Sequence, residues 1–300
     1  MSPVLVIKHG ALGDLIQAFG PFAAIRQHHP GARVVLLTTP PFERFCAASG
    51  LFDQVWIDSR PSWWRLGRIW RLARRLRSER FGRVYDLQTS DRSSFYLRLF
   101  GDPKPEWSGI AAGCSHPHSN PARDAMHTVD RQAEQLAAAG IAAVPPPDFS
   151  WVQADIARFD LPRPFALLVP GGSAHRPEKR WPLERYAALA AELGRRGIRP
   201  AVLGGREEAA LAAAIPGVHD LTGRTDLFDL VGLARDARFA IGNDTGPMHL
   251  IAAVGCRAAV LFSRASDPAL CAPRGRDVTV LRREYLAALT LDEALRAAFP

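Results

Sequence analysis

The chain has 300 residues, a formal net charge of +8 and 47% hydrophobic residues. That length and apolar content exclude a disordered chain and leave one large domain or two ordinary ones. No run of about 18 uninterrupted apolar residues occurs, which excludes a helical membrane span, and the four cysteines, Cys46, Cys114, Cys256 and Cys271, lack the paired spacing of a zinc site or a disulfide framework.

The opening MSPVLVIKHG has no basic region followed by a long apolar one, so no signal peptide is read and the expected compartment is the cytoplasm. The positive charge favours anionic partners: phosphorylated metabolites, anionic lipid surfaces or nucleic acid. A GC-rich genome gives the same excess of arginine, so charge alone selects none of them.

The first element is a strand, VLVIK (Val4 to Lys8), followed by HGALGD and a helix-like run from Leu15 to His28. Gly10 and Gly13 do not fit G-x-G-x-x-G, and no GK[ST] follows, so this is neither a dinucleotide fingerprint nor a phosphate loop. Asp14 stands at the mouth of the strand. It is there either as a general base facing a cleft or as a helix N-cap. ARVVLLTT (Ala32 to Thr39), QVWIDS and RVYDLQ read as further strands. Between the last two lies RPSWWRLGRIWRLARRLRSERFGR, with nine Arg against one Glu. Leu66, Ile69, Trp70, Ala73 and Leu76 recur at helical spacing and predict an apolar face. A basic amphipathic helix with tryptophans suits an anionic membrane surface or a phosphorylated glycolipid, and equally a packing helix with a solvated basic face. Arg65, Arg68, Arg71 and Arg92 are the candidate contacts to such an acceptor or surface.

AAVPPPDFS (Ala142 to Ser150) reads as a linker. The second half then restarts with PFALLVPGG (Pro164 to Gly172), a strand ending in glycines. Gly172 and Ser173 offer exposed amides, and Lys179 precedes WP at the start of the helix LERYAALAAELGRRG. A lysine there suits a phosphate, although a plain turn and a solvated lysine read the same way. RPAVLGG and the helix REEAALAAAI repeat the layout. Gly205 closes that strand, and Glu207 or Glu208 either accepts from ribose hydroxyls or serves the helix dipole.

ARFAIGND is the next strand. It runs into GNDTGPMH, where a helix beginning near Pro247 leaves free backbone N–H groups suited to a phosphate. Gly246 permits close approach, Thr245 adds a hydroxyl, and His249 lies one turn inside. Asp244 or Thr245 as a simple N-cap is the alternative. RAAVLFS is a strand, and TLDEALRAAF is a helix with Thr290 and Glu293 at capping-box spacing.

Strands alternating with helices predict parallel sheets covered on both faces. The expected domains are 1–147 and 148–285, with 286–300 as a terminal helix returning toward the first. Ligands of such sheets sit beyond the carboxyl ends of the strands, so the loops are expected to face a common cleft.

Three motifs, K-x4-G-D at Lys8 to Asp14, K-x-W-P at Lys179 to Pro182 and D-T-G-x-x-H at Asp244 to His249, give the chain its resemblance to glycosyltransferase family 9, the bacterial heptosyltransferases of lipopolysaccharide core assembly. The resemblance covers essentially the whole chain. It implies an α/β fold of GT-B architecture, two Rossmann-like domains facing across a central cleft, with the donor in the second and the acceptor in the first. It also implies inverting, metal-independent transfer from a nucleoside-diphosphate sugar, typically ADP-heptose, with no cofactor. The acceptor it implies is an anionic glycolipid at the cytoplasmic face of the inner membrane, not nucleic acid. Carried onto this sequence, Asp14 becomes the base. Ser173, Lys179, Thr245 and Gly246 become diphosphate contacts, and Asp244 and His249 stand beside the donor. The segment from Phe95 to Met126 is compact where the family places acceptor loops, and the adenine pocket is not readable. Two other readings share the sequence: an isomerase of the same architecture, such as a nucleotide-sugar 2-epimerase, and a non-catalytic nucleotide binder. The first half offers only one obvious carboxylate, Asp14, for the proton transfers of an epimerase.

Overall fold

The computed structural model describes every residue except 61, 63, 173, 174 and 300. The chain divides into two compact units, Met1–Pro147 and Asp148 onward.

In the first unit six parallel strands, β1 (Val4–Ile7), β2 (Val34–Thr38), β3 (Gln54–Ile57), β4 (Arg83–Asp86), β5 (Glu106–Gly109) and β6 (His116–Pro117), run in the order β3-β2-β1-β4-β5-β6. β1 is buried at every position, as a strand covered on both faces must be. It pairs with β2 through Val4 and Val34 and with β4 through Val4 and Arg83. The order reverses between β1 and β4, so the crevice beyond their carboxyl ends falls at Lys8–Asp14 and Asp86–Ser90. The helix-like run after β1 is two helices, Leu12–Gln17 and Phe19–His28. Gly10 has φ +111°, and a Cβ there would lie 2.6 Å from the Phe42 ring, so the loop before Asp14 requires glycine.

The basic segment forms a helix, Leu66–Ser78, but its buried stripe differs from the expected one. Ala73 and Leu76 are buried and Ile69 and Leu72 pack on the same core. Leu66 and Trp70 lie to one side of that stripe and are 72% and 61% exposed. Ile69, Leu72, Ala73 and Leu76 fall at i, i+3, i+4 and i+7, one face of the helix, and Leu66 and Trp70 fall on the column beside it.

The second unit repeats the plan. Strands β7 (Phe165–Val169), β8 (Arg199–Val202), β9 (His219–Asp220), β10 (Ala240–Asn243), β11 (Ala258–Phe262) and β12 (Val278–Arg282) form a parallel sheet in the order β12-β11-β10-β7-β8-β9. Its reversal point lies between β7 and β10. The helix Leu183–Arg195 buries Tyr186, Leu189, Ala190 and Leu193, one face at 3.6 periodicity, and Gly197 at φ +71° ends it.

The last helix, Leu291–Ala298, has the expected capping box: the Thr290 hydroxyl accepts from the Glu293 N–H, and the Glu293 carboxylate accepts from the Thr290 N–H at 2.8 Å. It is not a separate segment. Ala294 and Ala298 enter the second unit's core with Leu189, Leu193 and Leu261, and Leu291 and Leu295 of the same apolar face pack against it.

Candidate active site

In the second unit, the strand ends at the reversal point carry Pro170–Gly172 and Asp244–Gly246. The Asp244 N–H still bonds the Leu261 carbonyl at 3.0 Å, so Asp244 is held in the ladder's register while its side chain leaves the sheet. Lys179 Nζ donates to Asp244 Oδ2 at 2.6 Å, and the two side chains are only 13% and 8% exposed. Ser266 donates its hydroxyl to the same oxygen at 2.7 Å, and His249 Nε2 stands 4.0 Å from Asp244 Oδ1. The helix begins at Gly246 rather than Pro247, and its N-cap is Thr245. Thr245 makes no side-chain capping bond; its hydroxyl turns back to the Asn243 carbonyl at 3.2 Å. The helix N-terminus is therefore not closed by its own cap, which leaves backbone donors and the positive end of the dipole available to an anion.

The K-x-W-P loop is fixed from within. The Trp181 side chain is buried, its indole N–H donates to the Leu289 carbonyl at 3.1 Å, and its ring lies edge-on to Tyr186 at 5.1 Å. Lys179, two residues earlier, is thus presented from an anchored loop. Asn243, just ahead of Asp244, is fully buried, and its amide reaches four partners on this loop, on the helix Leu183–Arg195 and at the end of β7.

The glycine loops are stitched to one another. Glu208 accepts from the Gly172 N–H and the Gly205 N–H, both at 2.9 Å, so both of its oxygens serve backbone donors. A Cβ on Gly171 would fall 1.7 Å from Glu208 Oε1. Glu207 is exposed and lies over Gly205. Arg180 donates to the Gly172 carbonyl at 2.7 Å and lies over Gly172, near the Thr245 methyl. Ser173 lies outside the described residues. Ser266, Arg180 and Asn243 were missed from sequence: Ser266 sits in no motif, Arg180 is the unspecified position of K-x-W-P, and Asn243 reads as a turn residue.

In the first unit, Asp14 falls in the first turn of Leu12–Gln17, whose N-cap is Ala11, so Asp14 is not a cap. Lys8 is buried and donates to the Leu87 carbonyl at 3.0 Å. Burial lowers its pKa, and the charge of nearby Asp14 opposes that shift. Arg131 also lies within electrostatic reach of Asp14. Asp86, at the end of β4, is fully buried and titrates near 6, because burial outweighs the N–H groups of Thr89 and Gln88 that its Oδ1 accepts.

Beyond β3, Asp58 takes hydrogen bonds from the Tyr96 hydroxyl and the Arg60 N–H, with His9 Nε2 at 3.2 Å. Burial pushes its pKa up, yet the bonds from His9 and Tyr96 hold it below the usual carboxylate value. Arg92 also hydrogen-bonds the Tyr96 hydroxyl. Asp58, Ser59, Arg68, Arg71, Leu72 and Arg75 surround a cavity of about 300 Å³. Arg75 also stacks on Trp56 at 4.3 Å. Arg65 is the exposed N-cap of the helix and lies outside the cavity lining. The structure therefore gathers Arg68 and Arg71 on the cavity, leaves Arg65 outside it, and connects Arg92 to its wall only through Tyr96 and Asp58.

Paired doubly wound parallel units of this kind define the GT-B class. The solved glycosyltransferase family 9 protein of Veillonella parvula DSM 2008 superposes with a TM-score of 0.84, at 18% identity, over 99% of this chain and 96% of that one. The Escherichia coli ADP-heptose lps heptosyltransferase II superposes at 0.78, with 19% identity and 98% and 97% coverage. The E. coli heptosyltransferase WaaC with ADP does so at 0.77, with 21% identity and 98% of each chain. These likenesses establish the fold. The model of glycosyltransferase family 9 (heptosyltransferase) matches residues 69–296, and the chain belongs to that family. A curated relative, lipooligosaccharide heptosyltransferase 2 of Haemophilus ducreyi, is 30% identical over 130 residues, which span 40% of this chain and 37% of that protein.

Proposed function

We propose that this protein is an inverting, metal-independent glycosyltransferase that moves heptose from ADP-heptose onto a lipopolysaccharide-core or related anionic glycan acceptor. The observation that carries the reading is the Lys179–Asp244 pair held beside the uncapped N-terminus of Gly246–Ala253. A departing nucleoside diphosphate develops negative charge. Lys179, with two N–H donors left after its bond to Asp244, and the helix N-terminus compensate that charge without a metal. Thr245 and Gly246 face the same phosphates, and Asp244 and His249 stand beside the sugar. Gly172 and Gly205 bring backbone close to the nucleoside. Glu207, whose carboxylate is exposed, is the better placed of the two acids to accept from the ribose, because Glu208 already binds two N–H groups.

On the first unit, Asp14 takes the proton of the acceptor hydroxyl as that oxygen attacks the anomeric carbon and the bond to the diphosphate breaks. Lys8 and Arg131 keep its carboxylate in a positive field. The cavity lined by Arg68, Arg71 and Arg75 accepts an anionic group of the acceptor. Trp64, Leu66 and Trp70 are large exposed apolar side chains, and Arg74 stacks on Trp70 at 5.1 Å. Together with Arg65 they rest on the anionic lipid at the cytoplasmic face of the inner membrane, where tryptophan and arginine suit the interface.

The test is incubation with ADP-heptose, with and without a core-glycolipid acceptor. A transferase releases ADP only with acceptor and yields a product of inverted anomeric configuration. Conversion of the donor without acceptor marks an isomerase, and no turnover of any nucleotide sugar marks a binding protein.

A further inference from the structure

Asn243 has a role that its turn-like setting in sequence conceals. Its side chain is fully buried, and every hydrogen-bonding position of its amide is used. Nδ2 donates to the Pro170 carbonyl at 2.8 Å and the Gly171 carbonyl at 3.0 Å. Oδ1 accepts from the Trp181 N–H at 3.0 Å and the Tyr186 hydroxyl at 3.1 Å. The partners dictate the orientation, since a flipped amide would set oxygen against two carbonyls and NH2 against an N–H.

Those four partners come from three separate segments: the end of β7, the K-x-W-P loop and the helix Leu183–Arg195. Asn243 itself ends β10. One side chain therefore ties together the segments that supply Gly172, Lys179 and Asp244. We propose that Asn243 is the positioning residue of the nucleotide-sugar site, setting the register of Lys179 against Asp244 so that the cation meets the diphosphate. This rests on the nucleotide-sugar reading above. A buried amide satisfied on all sides selects one arrangement of its neighbours, whereas an apolar residue of similar volume would tolerate several. The single Tyr186 hydroxyl proton is shared between Asn243 Oδ1 at 3.1 Å and the Val169 carbonyl at 3.3 Å, so the helix is held against the end of β7.

Asn243→Asp is the discriminating variant. It keeps the shape and the accepting side, but sets a carboxylate against the Pro170 and Gly171 carbonyls. The expected result is a rise of about tenfold or more in the ADP dissociation constant and in the donor KM, since misplacing a binding group by about 1 Å is felt at that scale. Acceptor KM should not change. As pH falls, the new carboxyl takes up a proton and regains a donor, so ADP affinity should recover relative to wild type. Tyr186 is the titratable group in contact and burial holds it protonated. Lys179, Asp244 and His249 are present in both proteins, so wild type measured in parallel at each pH is the reference. A folded variant with wild-type ADP affinity at every pH overturns the proposal. If Asn243→Asp does not fold, Tyr186→Phe is read instead: threefold or weaker ADP binding supports the clamp, and unchanged binding overturns it. Wild-type protein that binds no ADP defeats the nucleotide-sugar reading itself and takes the clamp with it.

Discussion

Replacing Lys179 by alanine separates two roles that the Lys179–Asp244 pair combines. The pair is largely withdrawn from water, with Nζ 2.6 Å from Oδ2. Removing the cation leaves Asp244 with the Ser266 hydroxyl at 2.7 Å and His249 at 4.0 Å. Breaking one side of a buried pair costs about 3–5 kcal/mol, and the surviving bond from Ser266 sets the expectation near 3. At about 2–4 °C per kcal/mol for a unit of this size, the melting temperature should fall by roughly 6–12 °C. Binding should suffer separately. A charge-assisted contact to a diphosphate is worth about 1.5–3 kcal/mol, or roughly tenfold to a hundredfold in ADP affinity. The double variant Lys179→Ala/Asp244→Ala removes the stranded carboxylate as well. It should regain most of the stability while ADP binding stays weaker than in the wild type. The measurements are thermal melts and titration calorimetry with ADP at one fixed ionic strength. A double variant that binds ADP as tightly as wild type would show that Lys179 acts only through folding, and the diphosphate contact would have to be sought elsewhere, with Arg180 the next cation in the loop.

Asp14→Asn should melt within a few degrees of wild type, since Asp14 caps nothing and only a dipole contribution of about 0.3–1 kcal/mol is at stake. Its transfer rate should fall at least about a hundredfold with ADP affinity intact; near-normal turnover would remove Asp14 as the base. Asp86 gives a pH signature. Its folded pKa near 6 lies above the ordinary 3.8, so the folded chain holds the extra proton between those values and stability falls as pH rises from about 4 to about 6. Asp86→Asn should therefore be more stable than wild type at pH 7, by at most roughly 3 kcal/mol, with the gain fading below pH 4; a gain independent of pH would refute the assignment to burial. For the exposed patch, Arg65→Gln/Arg74→Gln should lose about 1 kcal/mol per arginine, or roughly thirtyfold in partition to anionic vesicles, without altering ADP affinity. Sedimentation with vesicles that ignores both changes would leave the helix as a packing element.

What was legible in sequence was local. β1, β7, β10 and β11 announce themselves as apolar runs because parallel strands buried on both faces need no polar alternation. The turn after β10 is legible because Gly246 and Pro247 must open a helix somewhere close by. What escaped depends on contacts between distant positions. Asn243 meets Trp181 across 62 positions and Pro170 across 73. Ser266 reaches Asp244 from a loop with no motif, and Glu208 clamps a glycine 36 positions earlier. The strands β6 and β9, two residues each, are too short to carry a period, and β12 is only half buried. The apolar face of Leu66–Ser78 was misassigned because helical spacing fixes a stripe only to within one column of side chains. Which column faces the core is decided by the sheet beneath.

The hydrogen bond from the Trp181 indole to the Leu289 carbonyl couples the K-x-W-P loop to the order of synthesis. The strand β7 and the K-x-W-P loop leave the ribosome more than a hundred positions before the acceptor of that bond. Until Leu289 and the helix after it emerge, the indole has no partner and the core around Leu189 and Leu193 lacks Ala294 and Ala298. A nascent chain therefore carries every residue of the proposed phosphate site before the Trp181 indole meets the Leu289 carbonyl and before the last helix completes the core. Removal of the chain from residue 286 onward would take away the Leu289 carbonyl and the Ala294 and Ala298 side chains that back the K-x-W-P loop, although no residue proposed to touch a ligand would be lost.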